Sequence, residues 1–312
     1  MERSSIIIFL TAILSASIRF ATPLIIATIG ETFCERAGIL NLSIEGTMIF
    51  GAFTGFIITY FTKNVYFGLI FSILCGSLIG ILMGLLTINL GRSQHVSGLG
   101  MTIFTTGLSF FIYRLIFGSP TTPPTVLTLK NLSVPLLSKI PIIGNSFFNQ
   151  SLLTYIAYIL IPVSSYFLFK TTFGLNLRAV GENPESADSL GINVFKMRYI
   201  ALIIGGSLMG LAGSFFSLVQ FNMFQYGIVG GRGWICIALV IFAKWFPLRV
   251  FLGALLFGGI DALQLRLQAI GFFKFPFQIF LTLPYLLTII ILIIVSRNAD
   301  YPSSILKPYR RE

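Results

Sequence analysis

Residues 174–198 read GLNLRAVGENPESADSLGINVFKMR and interrupt a chain that is otherwise mostly apolar. The stretch is too polar to sit in lipid, where backbone and side-chain polar groups find no partners. Asn183, Pro184 and Glu185 together make a helix start. The Asn side chain can cap free amides, Pro has no amide to leave unpaired, and an acid in the first turn suits the positive helix end. Gly191 reads as the stop, because glycine accepts the left-handed conformation that ends helices. The sequence therefore predicts a two-turn helix over 184–190, outside the bilayer. Asn193 can cap the next helix, which runs into the apolar segment from Tyr199. Such an ordered loop suits docking of a partner on one side of the membrane. An ordinary solvated loop is the plainer reading of the same residues.

Composition places the rest of the chain. It has 312 residues, of which 55% are hydrophobic and 10% charged, with a mean hydropathy of +0.92. A soluble domain carries about 25% charged residues, so this chain is solvated mainly by membrane lipid. Lys and Arg number 21 against 10 Asp and Glu. In a membrane protein that excess marks cytoplasmic loops and does not call for a nucleic acid partner. Cys34, Cys75 and Cys236 stand apart among apolar neighbours and read as small core residues. The apolar run after Met1-Glu-Arg is too long for a signal-peptide core and reads as a membrane helix.

A spanning helix needs about 20 mostly apolar residues. Segments 6–30, 43–61, 66–90, 97–117, 151–169, 199–220, 229–245, 248–264 and 277–296 qualify, so the fold class is an all-α, polytopic transmembrane bundle of about 8–10 spans forming one domain over 1–312. The first span is interrupted by Arg19 and Pro23, and the pair over 229–264 turns at Pro247. With the 170–198 loop cytoplasmic, that side collects Lys170, Arg178, Lys196, Arg198, Arg36, Arg92, Lys244, Arg249, Arg297, Lys307, Arg310 and Arg311. The other side holds Arg3, Lys63, Lys130, Lys139, Arg266 and Lys274. This two-to-one bias orients the 170–198 side inward and turns the N-terminus outward, while an extra break in segment 6–30 would reverse that end alone. The loop over 118–150, with Pro120, Pro123, Pro124, Pro135 and Pro141, reads as irregular external chain with a short apolar piece near 134–143. Gly51 and Gly55, Gly76, Gly80 and Gly84, and Gly206 and Gly210 recur at four-residue spacing, which lets helix backbones approach closely.

Enzyme signatures are absent. The sequence has no phosphate-cradling Gly-x4-Gly-Lys-Ser/Thr loop, no His-Glu-x-x-His and no Gly-x-Ser-x-Gly. His95 is its one histidine, so a hydrolase or metal site is poorly supported and no cofactor is expected. No ion-channel filter motif occurs. Among ionisable residues inside spans, Arg114 can snorkel, and Asp261 can pair with Arg266 or Arg232. Only Glu45 and Asp261 could serve a proton-coupled carrier, the reading kept from a different class. For a neutral solute the uncharged polar residues matter more. Asn41 and Glu45 share a helix face, and Asn89 and His95 border a break. Thr102 and Thr105 recur along one span with Ser97, Thr106 and Ser109, and Gln220 follows another. With Gln264, these are the candidate substrate-pathway residues, although Ser and Thr often bond to their own helix instead.

Three stretches carry a family resemblance. Residues 19–46, RFATPLIIATIGETFCERAGILNLSIEG, resemble permeases of bacterial ABC importers for nucleosides and simple sugars, within the branched-chain/ribose-type permease superfamily. LRAVGENPESA at 177–187, followed by Gly191-Ile192, is similar to the family's cytoplasmic loop. GRGWICIALVIFAKWFPL at 231–248 and GALLFGGIDALQ at 253–264 are similar to its late membrane signature. Asp188-Ser189 and the phenylalanine-rich spans depart mildly from that pattern. The resemblance implies a non-catalytic permease subunit, the shorter of a heterodimeric pair, in the inner (cytoplasmic) membrane. It implies a cytoplasmic ATP-binding subunit, where hydrolysis occurs, and an extracytoplasmic substrate-binding lipoprotein. Residues 174–198 would then couple to the ATPase, through Arg178, Gly181, Glu182, Asn183, Pro184, Glu185, Ala187 and Gly191. Permeases for ribose-type sugars or branched-chain amino acids are the alternatives within the superfamily.

Overall fold

Apolar runs of this length close into helices because lipid offers the backbone no other partner. The computed structural model describes residues 2–135, 137–140, 143–270, 282–295 and 301–309. It begins with α1 (Glu2–Arg36), α2 (Ile44–Thr62), α3 (Val65–Gly84, widened into a π turn through Asn89) and α4 (Gln94–Phe117). The external segment holds β1 (Asn131–Ser133), α5 (Ile143–Phe147) and β2 (Asn149–Ser151), the two strands pairing antiparallel. Then come α6 (Leu152–Lys170), α7 (Thr172–Glu182), α8 (Pro184–Ser189), α9 (Val194–Phe215, continued as a π turn to Gln220), α10 (Arg232–Phe242), α11 (Pro247–Ile270) and α12 (Leu283–Val295). Seven of these, including α9 and α11, are long and apolar enough to cross a membrane. The helical bundle expected from the sequence is therefore observed.

Three details differ from the sequence reading. The first helix does not end near residue 30 but continues through Pro23 and Gly30 to Arg36. The segment 229–245 forms only the 11 residues of α10. At 1.5 Å per residue that is about 16 Å, half the hydrocarbon thickness. The final expected span, 277–296, lies partly outside the described residues, and its described part is α12. The external loop is also more ordered than its prolines suggest. Its chain is tied down by the Val126 amide donating to the Asn222 carbonyl at 2.9 Å and the Leu129 amide to the Leu218 carbonyl at 3.0 Å. The Ser146 hydroxyl donates to the Thr11 carbonyl at 3.1 Å. The start of α1 and the 118–150 segment thus share one end of the bundle, opposite α7 and α8.

The most deeply buried spans are α2 and α9, with α1 and α3 against them. The glycine rows expected to pack do so. A side chain at Gly51 would meet the Gly210 carbonyl at 2.2 Å, and one at Gly76 would meet the Gly206 carbonyl at 2.1 Å. Close backbone approach replaces the hydrophobic drive that lipid cannot supply. Ser72 exploits it, its hydroxyl lying 2.8 Å from both the Gly51 and Gly68 carbonyls.

Two helices start inside the bundle. The Gln94 side chain at the start of α4 accepts from the Leu40 amide at 2.8 Å, while Thr102 donates to the Leu42 carbonyl at 2.9 Å. The chain over 40–42 therefore runs along the first turns of α4 before α2 begins. The N-terminus of α10 lies beside that of α2, because Glu45 reaches both the Gly231 and Gly233 amides.

Candidate functional site

Local chemistry builds α8 and its caps as the sequence predicts, while the helix α7 before it was not expected. The Asn183 side chain accepts from the Ser186 amide at 3.0 Å and caps α8, with Pro184 in its first turn. Gly191 takes φ +84°, and its amide donates to the Asp188 carbonyl at 2.9 Å, closing the helix. Asn193 caps α9 by accepting from the Lys196 amide at 2.9 Å. Thr171 caps α7 through the Gly174 amide at 3.1 Å.

The loop has an inner and an outer face. Gly181 sits so close to the end of α1 that a Cβ there would meet the Arg36 carbonyl at 2.1 Å. Ala187 is the buried residue of α8. The guanidinium of Arg178 lies 5.2 Å over the Phe169 ring, and that of Arg36 lies 5.7 Å over the same ring. Stacking on an aromatic face helps to accommodate two neighbouring guanidinium groups, and Glu182 and Glu35 add favourable charge beside Arg36. Outward, Glu182, Asn183, Glu185, Ser186, Ser189 and Leu190 are exposed, Leu190 at 82%. An exposed leucine just past a short helix that carries a carboxylate presents an anchor and a polar rim.

The candidate pathway residues fall in several places. Asn41, Glu45, Thr102 and Thr105 gather where α2 begins against α4. Asn41 is fully buried, accepts from the Ser43 amide and hydroxyl, and directs its amide group to the Met209 sulfur at 3.6 Å. Thr105 donates to the Met101 carbonyl at 2.7 Å. Glu45 caps α10 at 2.8 and 2.7 Å. Asn89 accepts from the Tyr199 hydroxyl at the coupling-loop end, and His95 is exposed nearby. Gln220 is half-buried at the external end, and Gln264 is buried on α11. Asn89 and Gln220 lie at opposite ends of the bundle, so the candidates do not gather at one place within the described residues. Of the two pairings open to Asp261, it takes Arg232, at 3.2 Å.

Sequence reading missed two buried acids and an aromatic pocket. Glu31 accepts from the Asn41 amide at 2.8 Å, and Glu35 accepts from the Trp245 ring nitrogen at 2.6 Å. Their signal was a four-residue spacing within an apolar helix, hidden by ending that helix too early. At the external end Phe110, Tyr113, Arg114, Phe224, Gln225 and Tyr226 line an open cavity of about 630 Å³. Its floor, Phe224, is buried and held by Phe53 and Phe110 at ring distances of 5.5 and 5.2 Å. Flat apolar faces with a guanidinium and an amide at the rim suit a planar solute with polar edges.

Residues 13–296 match the family described as the branched-chain amino acid transport system permease component. The chain belongs to this permease family. It is 38% identical to a putative glucose ABC transporter permease of Haloferax volcanii, covering 97% of this chain and 99% of that one. It is 34% identical to a guanosine ABC transporter permease of Bacillus subtilis over 97% and 98%. It is 36% identical to a nucleoside ABC transporter permease of Lactococcus lactis over 91% and 92%. No solved structure matches. The permease is an integral membrane subunit of an ABC transporter and not an enzyme, the ATPase being a separate subunit. Membership implies ATP-binding and substrate-binding partners.

Proposed function

We propose that this permease carries a nucleoside or a related sugar-bearing solute inward, driven by an ATPase that grips α7 and α8 from the cytoplasm. The observation behind the grip is the two-faced loop. Gly181 seats its inner side on α1, while Glu185 and Leu190 stand free for a partner. Movement of that partner then shifts the ends of α1 and α9 and opens the pathway alternately to either side. The solute class rests on the aromatic pocket together with the guanosine, nucleoside and glucose permeases that the chain resembles. A second, different permease completes the pathway. In support, the chain also resembles, at 27% and 24% identity, a second guanosine permease of B. subtilis and a second nucleoside permease of L. lactis. An extracytoplasmic lipoprotein delivers the solute at the end that bears the pocket. Of the candidate pathway residues, the exposed Asn89 and His95 and the half-buried Thr102 and Gln220 can face a second permease, whereas Asn41, Glu45, Thr105 and Gln264 are buried within this chain and shape the pathway from behind.

Uptake into proteoliposomes holding the whole importer tests this. Labelled guanosine is expected to enter with ATP and to stop when the ATPase's phosphate-binding lysine is replaced. Uptake that survives that replacement, or that follows a proton gradient with ATP held constant, would refute an ATP-driven carrier. Preference for leucine over nucleosides and glucose would move the solute to the branched-chain class named in the family description.

A further inference from the structure

A short segment near the end of the sequence, 301–309, lies across the coupling helices. Ser304 is 2% exposed and makes the central contacts. Its amide donates to the Gly181 carbonyl at 3.0 Å, and its hydroxyl lies 2.7 Å from the same carbonyl and 3.2 Å from that of Val180. These carbonyls belong to the last turn of α7, where a helix leaves its acceptors without internal donors. The same hydroxyl accepts from Arg198 of α9 at 3.4 Å, and Arg198 also donates to the Ala37 carbonyl at the end of α1 at 3.3 Å. One buried serine therefore joins α7, α9 and, through Arg198, the end of α1. Its neighbours extend the seam. The Ser303 amide and hydroxyl donate to Glu182 at 3.3 and 3.1 Å, and Tyr309 donates to Asp188 on α8 at 2.9 Å. The ring of Tyr301 meets that of Trp245 at 5.1 Å, and Tyr309 meets Phe195 at 5.9 Å.

We propose that Ser304 is a positioning residue and that 301–309 is a strap binding the coupling helices to the ends of α1 and α9. This rests on the reading of α7 and α8 as the ATPase grip. A two-turn helix on a loop transmits force only if its base is rigid. The strap supplies that rigidity from outside the loop, so ATPase movement displaces the membrane helices and does not merely bend 174–198.

The test uses the complete importer in proteoliposomes, with uptake and ATP hydrolysis measured together. Ser304→Ala is expected to lower solute carried per ATP hydrolysed by about tenfold, the scale of one or two lost buried hydrogen bonds. The ATPase should stay bound and active. An unchanged ratio would overturn the strap, and so would loss of the ATPase from the purified complex, which would make Ser304 a docking residue. Because Ser304→Ala could fail to fold, a Phe195→Cys, Tyr309→Cys pair, outside the ATPase grip and joined by a bis-maleimide with a reducible disulfide bridge, gives an independent reading. Cys34 and Cys236 are buried, and the partly buried Cys75 is first replaced by Ser. Joining the pair is expected to leave uptake as it is before linking, because strap and α9 move as one body. Uptake lost on linking and regained on reduction would mean that the strap must release, against the proposal. Leu190→Asp separates the two ideas. If the ATPase still binds and drives uptake with that substitution, the grip itself is elsewhere and the strap has nothing to transmit.

Discussion

Gly181 has no room for a side chain. Gly181→Ala places a methyl group 2.1 Å from the Arg36 carbonyl, so α7 must lift from α1. Uptake is expected to fall at least about tenfold while the protein still reaches the membrane, since a displaced coupling contact costs on the order of 1–3 kcal/mol. Normal uptake would show that this seat carries no movement. Glu182→Lys and Pro184→Gly act on the same loop and should likewise stop transport without preventing insertion. Trp245→Phe tests a different residue. It removes the Trp245 donor from the buried Glu35, at a cost of about 2 kcal/mol. A lower melting midpoint in detergent is expected, and an unchanged one would mean that the Glu35 contact is not stabilising. The contrast between these sites explains what was legible from sequence. Asn183, Pro184, Gly191 and Asn193 act on amides and carbonyls a few residues away, so order along the chain reveals them. Glu35 finds its partner 210 residues distant, which no local pattern discloses.

At the scale of helices, glycine spacing correctly marked the close crossings among α2, α3 and α9, because a four-residue row is a face in any helix. It could not say which glycines are used. Gly51 is pressed on Gly210, whereas Gly100 and Gly107 of α4 have nothing within 4 Å. Gly51→Leu should therefore abolish a folded, monodisperse permease, while Gly107→Ala leaves the melting of the isolated subunit unchanged. Fluorescence-detected size exclusion with a thermal ramp distinguishes them. Comparable losses for both would contradict the packing described. Hydropathy likewise found the long spans and overestimated α10. An apolar run of 11 helical residues flanked by apolar loop reads as a longer helix than it is. The buried Ile228 and Val229 explain the error, since irregular backbone at membrane depth is apolar too when protein covers it.

For the molecule as a whole, the distribution of Lys and Arg indicated which loops lie together, and the structure brings Arg36, Arg178, Lys244 and the strap to one end. The side of the membrane follows from the positive-inside rule. Ser189→Cys should react with an impermeant maleimide only in inside-out vesicles, and Ser119→Cys only in right-side-out vesicles. The reverse pattern would place the grip outside the cell and end the ATPase reading. The pathway was less legible, because polar residues on separate helices of one subunit reveal nothing of the surface a second subunit adds.

The brevity of α10 also bears on how the protein is made. About 16 Å of helix is too short to partition into a bilayer by itself as it leaves the ribosome. Its first amides are satisfied by Glu45, on a helix synthesised some 186 residues earlier. Threading of this segment must therefore wait until the early helices have assembled and offer their carboxylate. Damage at Glu45 should then surface as a subunit cleared by membrane proteases soon after synthesis, before any solute has been carried.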